Sequence, residues 1–347
     1  MLLTVAFGEP NFPGMTRLLP TRPRCLTAAT AATAATALTL GLAACGAGDT
    51  TGSDDDRTVG LTTAFGPADF PVTPERAVVT ASALDNVLAL GITPTAVIMT
   101  AQDEDAPWRE GRLDNVDRIT VATYGDIDAE KIAAEDPDVI IGDIYWIDSQ
   151  DEYDRLSAIA PTLNGPSQDP TRATWKERLT QLGELYDRPD AARQVIDDDT
   201  ARFRTAQQDM PGLAGKTGWI GRDQGDGSIG TSPDPTEASN TFLYDLGMTL
   251  PPTIEGKTPN GASGAYVASP ENLDEFAADF SVLYTDRKAD TLAAEPTFAA
   301  LPQVKKGTML TDSYAVVIGL AQPSSLVRAW ALDELRPTLE KVAAPGD

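Results

Sequence analysis

Short apolar runs rich in β-branched residues recur along this chain, each followed by a segment of helical periodicity. The runs "AVVT" (77–80), "TAVIMT" (95–100), "ITVA" (119–122) and "DVIIG" (138–142) read as four strands. After the first, Ser82 stands where a helix cap is expected. Leu84, Val87, Leu88 and Leu90 then share one side, and Gly91 offers a stop. A further helix is expected around 150–159. Strand–helix alternation of this kind specifies an α/β architecture with mostly parallel sheets.

The pattern changes at Thr171. "TRATWKERLTQLGELY" places Trp175, Leu179, Leu182 and Leu185 at helical spacing and ends at Asp187. Pro189 fits the first turn of a second helix, "DAARQVIDDDTARFRTAQQ". At 1.5 Å per residue that helix is about 30 Å long, enough to bridge two lobes. Alternation then resumes, with strands at 216–221, 280–285 and 308–311. A helix over 237–246 is stopped by Gly247, and a closing helix over 324–342 is perturbed near its end by Pro337. The expected fold is two Rossmann-like α/β lobes joined by a long single helix, with a ligand cleft between them. The lobes are placed at 58–170 and 211–347, with the helical segment at 171–210.

Ahead of the first lobe, Arg17, Arg22 and Arg24 precede an Ala/Thr/Leu-rich run from about Leu26 to Ala44, the charged-then-apolar order of a secretory signal. The run is too weakly hydrophobic to read as a permanent span. Leu42-Ala43-Ala44-Cys45 resembles the lipobox of bacterial lipoproteins. That resemblance implies cleavage before Cys45 and a lipid on its sulfur. Residues 1–44 are therefore read as a leader, Met15 being the more typical start, and 45–57 as a flexible anchored tether of polar residues.

Composition removes several classes of function. The 347 residues contain no histidine, which excludes Ser-His-Asp and Cys-His catalysis and imidazole-based zinc sites. Of the two cysteines, Cys25 would leave with the leader, so no disulfide framework is expected. Loss of the leader takes away three arginines and Glu9, moving the net charge from −25 to about −27. So acidic a chain repels nucleic acid and anionic lipid, and membrane attachment is expected from the lipid alone.

Two segments echo one another. "DAEKIAAEDPDVII" (128–141) and "SPENLDEFAADFSVLY" (269–284) each carry a cap residue, Asp128 or Ser269, and a glutamate two residues later, Glu130 or Glu271. A short amphipathic helix and a strand follow in both. A carboxylate near a helix N-terminus gains about 0.3–1 kcal/mol, which explains each glutamate but not their correspondence. Together with "TPERAVVTASALDNVLALGITPTAV", "LSAIAPTL", "LTQLGELYDRPDAARQVI", "FLYDLGM", "LPQVKKGTML" and "LDELRPTLEKV", these segments run in order over roughly residues 73–342. The ordered set resembles the substrate-binding lipoproteins of ABC importers, of the rigid-helix class that serves iron-siderophores, haem and cobalamin. The resemblance implies that Glu130 and Glu271, one per lobe, dock on arginines of a dimeric permease. It also implies a location on the outer face of the cytoplasmic membrane.

In open α/β sheets ligands bind beyond the C-terminal strand ends. The loops there carry Trp108, Arg109, Arg112, Tyr124, Tyr145 and Trp146 in the first lobe, and Arg222, Arg287 and Tyr314 in the second. Aromatic faces and guanidinium groups suit a large ferric chelate, with Arg222 matching an arginine that often contacts the siderophore in the family. Trp175, Trp219 and Trp330 fall within helix or strand patterns and are assigned to packing. No protein-held cofactor is expected, because the siderophore itself holds the Fe(III). "GRDQGDG" (221–227) has glycines where a calcium loop needs oxygens and reads as a hairpin turn. The leading reading is capture of a ferric siderophore, hydroxamate before catecholate on charge grounds. Haem ligated by Tyr124, Tyr145 or Tyr314, cobalamin, and a non-transport interaction lipoprotein are the alternatives. An enzyme would need carboxylates alone, such as Asp143 with Asp148, and is the weakest reading.

Overall fold

The computed structural model describes residues 57–104, 106–167, 174–288, 291–292, 294–311 and 314–345. The chain divides into two units, Met1–Thr51 and Gly52–Asp347, and all described residues belong to the second. The expected leader, Cys45 and all but the last residue of the tether lie outside the described residues.

The described chain opens with an antiparallel hairpin, β1 (Thr58–Thr63) and β2 (Gly66–Pro71). The sequence reading places no strand here. Only Leu61, Thr63 and Phe70 of these segments are buried, too few to give an alternating signal.

The first lobe is built on β3 (Ala77–Thr80), β4 (Ala96–Thr100), β5 (Asp117–Val121), β6 (Val139–Ile141) and β7 (Thr162–Leu163). All are parallel, in the order β5-β4-β3-β6-β7. Every residue of β3, β4 and β6 is buried, which is why these strands read as continuous apolar runs. The helices of this half are α1 (Ala81–Ala89), α2 (Ala101–Glu104), α3 (Ala129–Ala134), α4 (Gln150–Ser157) and α5 (Trp175–Leu185). Helix α1 starts two residues earlier than the sequence suggests. Thr80, not Ser82, is its N-cap, because β3 runs directly into the helix. Helix α5 has a complete capping box between Thr174 and Glu177, and it buries Trp175, Leu179, Leu182 and Leu185.

The second lobe contains β8 (Gly218–Asp223), β9 (Ile229–Thr231), α7 (Ala238–Tyr244), β10 (Tyr266–Ala268), β11 (Phe280–Tyr284), α8 (Pro296–Ala300), α9 (Pro302–Lys305), β12 (Met309–Thr311), α10 (Tyr314–Ala321) and α11 (Ser325–Ala343). Its sheet has the order β10-β9-β8-β11-β12. The pairs β8–β11 and β11–β12 are parallel, while β8–β9 and β9–β10 are antiparallel. The turn expected at 221–227 is the β8–β9 hairpin connection. Helix α11 passes Pro337 and continues to Ala343, further than the sequence reading extends it.

The echo between 128–141 and 269–284 is only partial. Asp128 caps α3 by accepting from the backbone of Glu130 and Lys131. Ser269 makes no side-chain cap bond, and Pro270–Phe276 winds as a 3-10 helix with Asn272 outside helical geometry.

Between the sheets runs α6 (Pro189–Asp209), 21 residues opening on a proline. Its first half buries Ala192 and packs Val195 and Ile196 against the first lobe's core. Its second half contributes Phe203 and Ala206 to the core of the second. One helix thus belongs to both cores. At its middle, Asp199 is buried and accepts from Arg328 Nε of α11 at 3.1 and 3.2 Å. Arg328 also donates to Asp245 at 2.6 Å and lies 4.1 Å over the Phe203 ring. Burial holds the Asp199 carboxyl above its ordinary pKa, although Arg328 pulls the other way.

We expect Arg328→Met to lower stability by about 3–5 kcal/mol at neutral pH, because it leaves Asp199 buried without its cation. A carboxyl whose folded pKa lies above the unfolded value of about 3.9 loses stability as pH rises between the two. The deficit should therefore shrink as pH falls from neutral toward that raised pKa. Urea unfolding at several pH values checks this, and a pH-independent deficit would contradict the assignment.

Candidate functional site

The C-terminal ends of β3, β4 and β5 open onto a recess of about 210 Å³ facing α10 of the second lobe. The first turn of α1 supplies Ala81, Ser82 and Asp85. The chain after β4 supplies Gln102, Asp103, Trp108 and Arg109, and the loop after β5 supplies Tyr124. Tyr314, Ile318, Gly319 and Gln322 form the opposing wall. The topology explains the convergence. In a parallel sheet every strand delivers its following loop to the same edge.

Asp85 organises the floor. It is buried, accepting from Trp108 Nε1 at 2.8 Å and from Arg109 Nε at 2.6 Å. Arg109 also donates to the carbonyls of Ala81 at 2.6 Å and Asp103 at 3.3 Å. Burial works against the charged guanidinium, yet the Asp85 carboxylate prevails and the Arg109 pKa is raised. Trp108 reaches across to the second lobe. Its ring lies 5.3 Å from that of Trp330 on α11 and packs over Gly319, where a Cβ would stand 3.0 Å from it.

A second carboxylate, Asp103, lines the wall. It accepts from Thr100 N at 2.9 Å, from Thr100 Oγ1 at 2.8 Å and from the Tyr124 hydroxyl at 3.3 Å. Burial first, and then the Asp103 charge, push the Tyr124 phenol well above its usual pKa. The same two causes raise Tyr314 on the opposite wall. With Asp85 neutralising Arg109, Asp103 is the remaining charged group among the described lining residues.

The sequence-predicted residues divide accordingly. Trp108, Arg109, Tyr124 and Tyr314 meet in the recess. Arg222, at the exposed end of β8, lies just outside it, its guanidinium 5.9 Å from the Tyr284 ring, which meets the Tyr314 ring at 5.0 Å. Tyr145 and Arg112 are exposed but do not line the recess. Three placements need correction. Trp146 is only 1% exposed and presents no face to the recess, because it packs beneath Tyr124 with ring centroids 4.8 Å apart. Arg287 is held by Asp223 and Glu295, so its charge is neutralised within the second lobe. Arg109, expected to donate to a ligand, is occupied in the same way by Asp85.

Asp143 pairs with Arg178 at 3.5 Å and Asp148 is exposed, so these carboxylates lack the shared setting an acid–base pair requires. Asp85 and Asp103 escape the sequence reading altogether. Asp85 sits within the apolar stripe of α1, and a buried acid in such a stripe is the signal that could have revealed it. Glu130 and Glu271 are both exposed, on separate segments outside the recess.

Residues 77–313 match the sequence pattern of the periplasmic binding protein family. The chain belongs to that family. A curated relative, YhfQ of Bacillus subtilis (strain 168), named as an ABC transporter substrate-binding lipoprotein, is 34% identical over 125 residues, 35% of this chain and 37% of that one. The match therefore spans little more than a third of the relative's length. Among solved structures, a periplasmic solute binding protein from Mycobacterium smegmatis aligns over 84% of this chain and all of its own, at 25% identity and a TM-score of 0.69. Streptococcus pneumoniae PiaA in complex with ferrichrome aligns over 82% of this chain and 98% of its own, at 21% identity and 0.64.

For this periplasmic binding protein the described lining of the recess offers three aromatic side chains, neutral polar groups and the Asp103 carboxylate, which has no bonded cation among the described residues. Its volume falls below the roughly 300–1,000 Å³ of sites that enclose a drug-sized ligand. A bulky ligand would place one portion in the recess and rest the remainder on the exposed rings at its mouth.

Asp85→Ala should destabilise the protein by about 3–5 kcal/mol, since it leaves Arg109 buried and unpaired. Arg112→Ala, at an exposed position, should stay within about 0.5 kcal/mol of wild type. Chemical denaturation of the two variants distinguishes a structural from a solvent-facing arginine.

Proposed function

We propose that this protein captures an Fe(III)-siderophore outside the cytoplasmic membrane and delivers it to an ABC permease. The observation that carries this reading is the aromatic recess at the strand ends between two lobes, in a chain that belongs to the periplasmic binding protein family. The named roles of YhfQ and PiaA, a substrate-binding lipoprotein and an iron-uptake binding protein, support it. Iron arrives as cargo enclosed by its chelator. Trp108, Tyr124 and Tyr314 cover the apolar skirt of the complex, and Arg222 donates to its iron-bound oxygens. Glu130 and Glu271 dock the loaded protein on the permease, and the lipid on Cys45 keeps it at the membrane.

The charge distribution favours a hydroxamate over a catecholate. A tris-catecholate ferric complex is strongly anionic and needs several clustered cations, whereas Arg109 and Arg287 are both neutralised by internal carboxylates. The fold relationship itself carries no siderophore type. Haem is disfavoured by a specific observation. Tyrosine ligation to iron requires a phenolate, and burial together with Asp103 raises the Tyr124 and Tyr314 pKa values, so forming the phenolate costs more there than at an ordinary tyrosine.

The test is tryptophan fluorescence of the protein titrated with ferric hydroxamates, ferric catecholates, haem and cobalamin, corrected for ligand absorption. We expect saturable quenching by a ferric hydroxamate through Trp108, with affinity lowered about tenfold or more in Arg222→Ala. Saturable binding of haem or cobalamin alone would overturn the siderophore reading. For docking, we expect Glu130→Ala/Glu271→Ala to retain siderophore binding while cellular uptake falls. Unchanged uptake would remove both glutamates from the permease interface.

A further inference from the structure

Asp103 has no part in the siderophore capture described above, and its surroundings give it a task. Its carboxylate lines the recess within reach of groups from both lobes. Tyr124 donates to it from the first lobe, and Tyr314 feels its charge from α10 of the second. Both bonds from Thr100 reach Oδ2, which fixes the carboxylate's orientation. The Tyr124 contact, at 3.3 Å, is the only one shown to Oδ1 among the described residues and is long for a hydroxyl–carboxylate bond, so that oxygen retains acceptor capacity. No positive group is bonded to the carboxylate among the described residues. Arg109 is claimed by Asp85 at 2.6 Å, and Arg222 lies on the second-lobe side of the mouth, beyond Tyr284 and Tyr314. The site therefore has an anionic wall in the first lobe and a guanidinium at the rim of the second.

We infer that Asp103 is a specificity-determining residue that selects ferric hydroxamates carrying a pendant ammonium group. Tyr124 of the first lobe and Tyr314 of the second line the recess together with this carboxylate, a setting suited to a cation on a short alkyl arm. The ammonium donates to Oδ1, while the chelate body rests on the rim aromatics with its oxygens toward Arg222. An anionic complex meets the same carboxylate as repulsion, so one residue both attracts the correct ligand and rejects the wrong one. This inference rests on the siderophore reading.

The experiment separates the two. Ferrioxamine B carries a free ammonium group and is cationic; its N-acetyl derivative has the same iron centre and is neutral. Isothermal titration of the wild-type protein should show the cationic complex binding about tenfold more tightly than the neutral one, as a charge-assisted hydrogen bond implies. In Asp103→Asn, which keeps an acceptor for Thr100, the two complexes should bind alike, and the neutral complex should bind within about threefold of wild type. Thermal melts confirm that the variant folds, and the wild-type comparison stands without it. Equal wild-type affinities for the two complexes would overturn the role of Asp103 and leave the siderophore reading standing. Preservation of the discrimination in a folded Asp103→Asn would do the same. Binding of neither complex, with haem or cobalamin bound instead, would overturn both.

Discussion

The recess depends on a carboxylate in an apolar helix. Asp85 lies on the buried side of α1 among Leu84, Val87 and Leu88, where an isolated charge would be costly to desolvate. It is tolerated because Arg109 and Trp108 both donate to it. Those bonds tie the chain after β4 to α1, and they set the direction in which the Trp108 ring leaves the first lobe. Replacing such a pair by apolar groups often leaves stability unchanged or improves it, so its value here is geometric. With Asp85 in place, Trp108 stands against Gly319 and Trp330, and the two lobes share one aromatic wall.

A second buried bridge answers it across the molecule. Arg328 of α11 pairs with Asp199 at the midpoint of α6, the helix whose halves belong to different cores. Continuous helix between two cores resists large rotations, because bending would expose apolar residues and strain backbone hydrogen bonds together. Ligand capture in this architecture therefore relies on a preformed surface more than on closure. The small recess agrees with that: three rings already stand at its wall, and part of a bulky ligand remains outside.

Much of the fold was legible because burial on both faces writes a simple pattern. The strands AVVT and AVIMT are fully buried and were visible as apolar runs. The hairpin β1–β2 and the strands β9 and β10 were not: β1 and β2 are rich in Gly, Thr and Pro, and β9 and β10 are only three residues each. Within the site, topology told which loops would meet but not which side chains would face the opening. Trp108 and Trp146 occupy comparable loops, yet one lines the recess and the other lies under Tyr124. Arginines were harder still. Arg109 and Arg287 read as free cations until Asp85 and Asp223, 24 and 64 residues away in sequence, are brought beside them.

That last difficulty has a physical consequence for recognition. In a chain with 52 acidic and 27 basic residues, a guanidinium that folds into a partly dry interior will meet a carboxylate before it meets a ligand. Cations are withdrawn from the recess by the fold itself. What stays available are aromatic faces, whose contacts depend little on charge, and the acids in excess over their partners. Asp103 is such an acid: it is held by neutral donors, Thr100 and Tyr124, and no cation is bonded to its carboxylate among the described residues. A surplus of carboxylates thus has two effects. Across the surface it repels anionic lipid and nucleic acid, and inside the recess it leaves the Asp103 carboxylate with no bonded cation among the described residues. The acidity evident in the bare composition and the Asp103 carboxylate of the recess express the same imbalance at two length scales.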